Sequence, residues 1–178
     1  MAFKVKYEDE QLRTKIDAIK RAGGNPDVWL RRISEWQLAS VQKNWEAQGK
    51  RYMSGGWEKL KPMTLALREW AVRKGISKAG GYTEKILEVS GTLKGVNSWT
   101  YQLGGTGAAR YALVGTPVRY ADRHQKGGTF PKPSFVKWKK KSTVRIPQRT
   151  LIAIAPDDMA WARKLADDYL KELHEGKA

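Results

Sequence analysis

The chain has 178 residues, no cysteine, and 34 lysines and arginines against 18 acidic residues, a net charge of +16. That length can remove roughly 70% of the unfolded chain's surface from water, and the lack of cysteine excludes a disulfide framework and thiolate metal sites. Met1-Ala-Phe-Lys-Val-Lys lacks the apolar core of a signal peptide, and no apolar run nears the ~20 residues that span a bilayer, so a soluble, unexported chain without a membrane partner is expected.

Residues 8–22 place Leu12, Ile16 and Ile19 at intervals of four and three, one apolar stripe of a helix. Gly23-Gly24-Asn25-Pro26 stops it, and Asp27 supplies a first-turn acid for a second helix over about 27–48, carrying Leu30, Ile33, Val41 and Trp45 with Trp29 and Trp36 nearby. Gly49 falls where a C-terminal cap belongs. A polar loop over 50–56 leads past Trp57 to a third helix over 64–74, ended at Gly75, and Lys78-Ala-Gly-Gly81 reads as a flexible link.

The period then changes to two. Residues 96–103 put Trp99, Tyr101 and Leu103 on one face and Ser98, Thr100 and Gln102 on the other; Gly104-Gly-Thr-Gly107 turns, and 109–115 returns with Tyr111 and Leu113 on one side. A second hairpin is expected between 143–146 and 151–154, turned at Pro147-Gln-Arg149, and Asp157 is expected to cap a last helix over 158–174 with Trp161, Leu165, Tyr169 and Leu173 four apart. Helices, then strands, then a helix predict an α+β fold of N-terminal helices, an antiparallel sheet of hairpins and a C-terminal amphipathic helix. One domain over 1–178 is expected, with a helical part over 1–56, an α+β core over 57–178 and a basic arm over 129–142.

Charge is distributed unevenly. From Arg119 to Arg149 there are ten basic residues and one acid, Asp122, a balance of +9 across 31 residues; from Asp157 onward six acids face four bases. The segment Phe135-Val-Lys137-Trp138-Lys139-Lys140-Lys141 interleaves rings and cations, the composition that grips phosphates while a ring packs on a base or partner, or else a solvated loop that keeps the chain soluble. Pro131 and Pro133 make it a protruding arm. Most of the eight tryptophans fall on helix faces as core, whereas Trp57 and Trp138 sit beside loop residues and are candidates for subunit contacts. Catalytic signals are sparse: His124 and His174 are far apart, and no zinc motif, nucleophile elbow or P-loop is present. Asp122-Arg-His124 reads as a turn histidine bonded to backbone more readily than as a nuclease fragment. No enzyme, metal or cofactor is expected.

Four blocks, read in order, resemble those of the phage virion morphogenesis family, the tail-completion proteins of Mu-like and P2-like phages. They are Trp57-x-x-Leu60-x-Pro62-x-Thr64; Ile86-Leu87-x-x-Ser90-Gly91-x-Leu93; Val114-Gly115-Thr116 with Tyr120-Ala121-x-x-His124-Gln125-x-Gly127-Gly128; and Ile146-Pro147-x-Arg149-x-Leu151. Glu58-Lys59 departs from the family at a frequent proline, and Thr150-Leu151 at a common Pro-Phe. The resemblance implies a structural virion protein, made in the bacterial host cytoplasm, that completes the tail's upper end so that it joins the filled head. A closed ring follows from such work, a hexamer or alternatively a dodecamer, with tail-tube and head-connector proteins as partners and phage DNA in the lumen. Trp57, Tyr120, His124, Gln125 and Arg149 are the expected ring contacts, Arg149 through an outward guanidinium that pairs with a neighbour's carboxylate. Lys137, Trp138, Lys139, Lys140 and Lys141 are the expected contacts to DNA or an acidic partner. The rival is a monomeric DNA-binding protein acting through that arm, which predicts a steep salt dependence and no ring.

Overall fold

In the computed structural model, the described residues are 2–3, 9–75, 87, 93, 98–106, 110–131 and 143–177. The Lys78–Gly81 link lies outside them; of the arm expected over 129–142, residues 129–131 form part of a strand instead, and 132–142, with Lys137, Trp138, Lys139, Lys140 and Lys141, lie outside the described residues. Among the described residues, five helices and two small antiparallel sheets make the α+β fold. They group into two compact units that do not follow chain order: unit 1 is Met1–Lys43, Trp99–Pro117 and Ile152–Ala178, and unit 2 is Asn44–Ser98 with Val118–Leu151.

Unit 1 holds helix α1 (Glu10–Arg21), most of α2 (Pro26–Glu46) and α5 (Pro156–His174). Its sheet has the order β1 (Ala2–Phe3), β3 (Tyr111–Gly115), β2 (Thr100–Gly104), with Ala2 and Thr100 both paired to Gly115. Asp9 caps α1 by accepting from the Leu12 N–H at 2.8 Å. The expected stripes meet in the core: Leu12 and Ile19 pack with Trp29, Ile33, Leu165 and Tyr169. The Tyr169 hydroxyl closes the α1–α2 turn, donating to the Asn25 carbonyl at 3.1 Å and accepting from its N–H at 3.0 Å.

The N-terminus of α5 departs from expectation. Asp157 is exposed, and Ala155 holds the cap position. Asp158, fully buried, reaches back to accept from the Ala155 N–H at 2.8 Å, and also accepts from Ser40 Oγ at 2.8 Å and Trp36 Nε1 at 3.0 Å. Three donors from two helices fix this carboxylate, so Asp158 and not its neighbour is drawn inward. Trp36 stacks on Trp161 at 4.3 Å.

Unit 2 holds the end of α2, α3 (Pro62–Arg73), α4 (Ala121–Lys126) and the sheet of β4 (Gly128–Pro131) with β5 (Thr143–Ile146). α2 closes in a Schellman motif: Gln48 is left-handed (φ 49°) and bonds to the Trp45 carbonyl, and Gly49 N–H bonds to the Asn44 carbonyl at 2.9 Å. Gly49 (φ 88°) must be glycine, since a Cβ there would lie 2.2 Å from the Trp57 ring. Trp57 packs edge-on against Trp45, 4.8 Å between centroids, and both are buried.

The second expected hairpin does not form. β5 pairs with β4, Ile146 opposite Gly128, and residues 151–154 are in no strand. Side chains take the backbone bonds that a ladder would have used. The Thr150 carbonyl accepts from Asn44 Nδ2 at 3.0 Å and Trp57 Nε1 at 3.2 Å, and Leu151 N–H donates to Gln125 Oε1 at 2.7 Å. In unit 1 the Ala153 carbonyl accepts from Gln37 Nε2 at 2.8 Å. With these groups satisfied, the apolar run Leu151-Ile152 is buried as an irregular segment. Among the described residues, no helix is long and apolar enough to cross a membrane.

Candidate functional site

Each of the four blocks contributes to one cavity of unit 2, although Val114-Gly115-Thr116 of the third lies in unit 1. A cavity of about 250 Å³ takes Leu60 and Thr64 from the first, Leu87 from the second, His124 from the third, and Ile146, Pro147 and Arg149 from the fourth. Each is brought there by local structure. Pro62 opens α3 at a position where its missing N–H is harmless, which turns Thr64 and Arg68 onto the cavity. Gly127, at φ 63°, lets the chain leave α4 against Gln148, whose backbone nitrogen would stand 2.6 Å from a Cβ. That close approach carries the Arg149 N–H to the His124 carbonyl at 2.6 Å.

Charge sets the cavity's chemistry. Lys59, Lys61, Arg68, Arg145 and Arg149 line it, against Glu58 as the one acid among its described lining residues. Arg149 is only 6% exposed, so its guanidinium is not the outward group that the turn suggested. The reason is the tether on both sides: the His124 carbonyl holds its own N–H, and Thr150 and Leu151 are bonded to Trp57, Asn44 and Gln125. Among the described residues Arg149 has no carboxylate partner, and its Nε is buried without a hydrogen bond. Burial lowers the Arg149 pKa, with Glu58 opposing and Arg68 adding to that shift.

His124 approaches Arg149 Nη1 through Nδ1 at 3.4 Å. Arginine is only a donor, so Nδ1 accepts and the ring proton sits on Nε2. Burial, then the neighbouring Arg149 charge, push the His124 pKa down to about 4. The ring is therefore neutral at neutral pH and adds an acceptor without adding charge.

The expected contact residues divide by exposure. Trp57, Gln125, His124 and Arg149 are engaged within unit 2, and Trp57 is buried among its own chain's residues. Tyr120, at the start of α4, is 40% exposed and stands edge-on to His124 at 6.1 Å. Asp122 pairs with Lys126 at 2.8 Å, and among the described residues no group of three His, Cys, Asp or Glu is placed to hold a metal.

One feature escaped sequence reading. α3 exposes Met63 (77%), Leu67 (60%) and Trp70 (53%), a stripe at helical spacing, whereas Trp70 reads by spacing as core. A signal was present in the segment Pro62–Arg73: its apolar residues spread over more of the helix than a single core-facing stripe, more than a small domain buries.

No curated protein and no solved structure matches the chain. A sequence model of the phage virion morphogenesis family matches residues 7–171, nearly the whole length. All four blocks fall within that span, and by this match the chain belongs to the phage virion morphogenesis family.

Proposed function

We propose that this chain is a tail-completion or neck subunit that forms a ring at the head–tail junction and acts through shape, with no substrate turned over. The observation that carries the reading is the convergence of the first, third and fourth family-like blocks on one tethered turn. The Trp57 and Gln125 side chains and the His124 carbonyl each bond the backbone of residues 149–151, so these groups are spent on holding geometry. Repeated heterologous contacts close into a ring only when each copy presents the same fixed geometry. Tyr120 is the outward member of the third block and is the proposed contact with the next copy.

Charge supports an anionic neighbour. Six copies at +16 carry about 96 positive charges, a repulsion that DNA in the lumen or acidic faces of tail-tube and connector proteins offset. Because the Debye length is roughly 8 Å at physiological salt, the neutralising partner lies close to the basic surface. Native mass measurement and negative-stain imaging of the purified protein, alone and with tails, test this. A six-fold ring is expected, with a twelve-fold ring as the connector-like alternative; a monomer at every stage, absent from finished virions, overturns it.

A further inference from the structure

We propose that the cationic cavity of unit 2 is a receptor for a carboxylate side chain on an acidic segment of a different protein, with the exposed face of α3 receiving that segment's apolar residues. This does not depend on ring formation, since every residue it uses lies in one unit of one chain.

Three observations carry it. First, among the cavity's described lining residues five cations face one acid, and the most buried of them, Arg149, has no carboxylate partner among the described residues. A guanidinium held this way is poised for an oxyanion, because its desolvation is already incurred. Neutral His124 beside it leaves the positive charge uncancelled while holding Nη1 in place. Second, the same helix that lines the cavity with Thr64 and Arg68 presents Met63, Leu67 and Trp70 to solvent on adjoining positions. Cation pocket and apolar stripe thus belong to one surface, matching an acidic amphipathic segment. Third, a second copy is the poorer source of that carboxylate, because it carries the same net charge of +16 and is repelled as a whole. Among the described residues eight of its carboxylates also lie in ion pairs within the chain, and Asp158 is buried.

A duplex phosphate fits less well. It is fixed to a stiff rod and cannot follow a side chain to a guanidinium that is 6% exposed, and DNA interfaces are polar, not apolar, beside their cations.

The full-length protein is titrated against a fluorescein-labelled twelve-residue peptide of glutamate and leucine, with its glutamine–leucine counterpart and a 20-base-pair duplex as comparisons. The glutamate peptide is expected to bind at least about tenfold more tightly than the glutamine peptide. Arg145→Glu and Leu67→Ser change exposed positions, so folding is not at stake. Each is expected to weaken the glutamate peptide about fivefold or more, and Arg145→Lys to weaken it less than Arg145→Glu does. Equal affinity for the two peptides, or indifference to Arg145→Glu, overturns the proposal. So does duplex displacing the peptide with the same sensitivity to both variants, which would make the cavity a phosphate site.

Discussion

Among the described residues each unit buries one charged side chain, and the two are treated in opposite ways. In unit 1 Asp158 is fully buried and meets three donors, from Ala155, Ser40 and Trp36. Several cations of that unit are paired as well: Arg32 forks onto Glu172 at 2.8 and 2.9 Å, and Arg110, Lys15 and Arg163 meet Asp27, Asp167 and Asp9. In unit 2 Arg149 is almost as buried, yet among the described residues its side chain approaches a neutral imidazole and forms no ion pair, with Glu58 acting on it only through its charge. A satisfied buried charge specifies a fold, whereas an unsatisfied one costs stability and is best explained by something that arrives later. Unit 1 reads as a self-sufficient scaffold and unit 2 as the half with business outside the chain.

That contrast can be broken most forcefully at Asp158. Replacing it by alanine strands three donors and is expected to cost about 2–4 kcal/mol, read from urea unfolding. A loss below about 1 kcal/mol would mean that unit 1 does not depend on this carboxylate, and the comparison would fail on its first side.

His124 gives a smaller, pH-dependent effect. Its folded pKa of about 4 lies below the usual 6.5, so the folded state binds fewer protons than the unfolded one. Its contribution is therefore complete above about pH 6.5 and is lost as pH falls toward 4. The ring is only partly enclosed, and with solvent screening the loss is on the order of 1–2 kcal/mol. Urea midpoints of the wild type and His124→Gln, measured from pH 7.5 to 4, should converge at the acid end, the variant lacking this slope.

The smallest expected change is the most telling. Arg149→Met removes an uncompensated buried charge while keeping an apolar stem, so stability should stay within about 1 kcal/mol of wild type or rise. The glutamate peptide should nevertheless lose affinity. A large destabilisation would show that Arg149 is paired in the folded protein after all, and unit 2 would then resemble unit 1.

The helices were legible because periodicity is local. The stripe Leu12, Ile16, Ile19 and the run Leu165, Tyr169 need no knowledge of distant residues to predict a buried face, and both meet in the core of unit 1. The hairpin of β2 and β3 was legible for the same reason, from alternation on either side of a glycine-rich turn. The pairing of β5 was not. Two apolar runs flanking Pro147 look like a hairpin until Asn44, Trp57 and Gln125, from 26 to 106 residues away, claim the backbone of 150–151.

Sequence by itself therefore determined the α+β class, the four longer helices among the described residues though not the short α4, the charge excess and, through the four blocks, the family. Tertiary structure alone decided that those blocks share one cavity, that Arg149 points inward and that Trp70 does not. Local patterns state which face of an element is apolar, but whether a backbone carbonyl or a guanidinium finds its partner depends on groups that only folding brings within hydrogen-bond range.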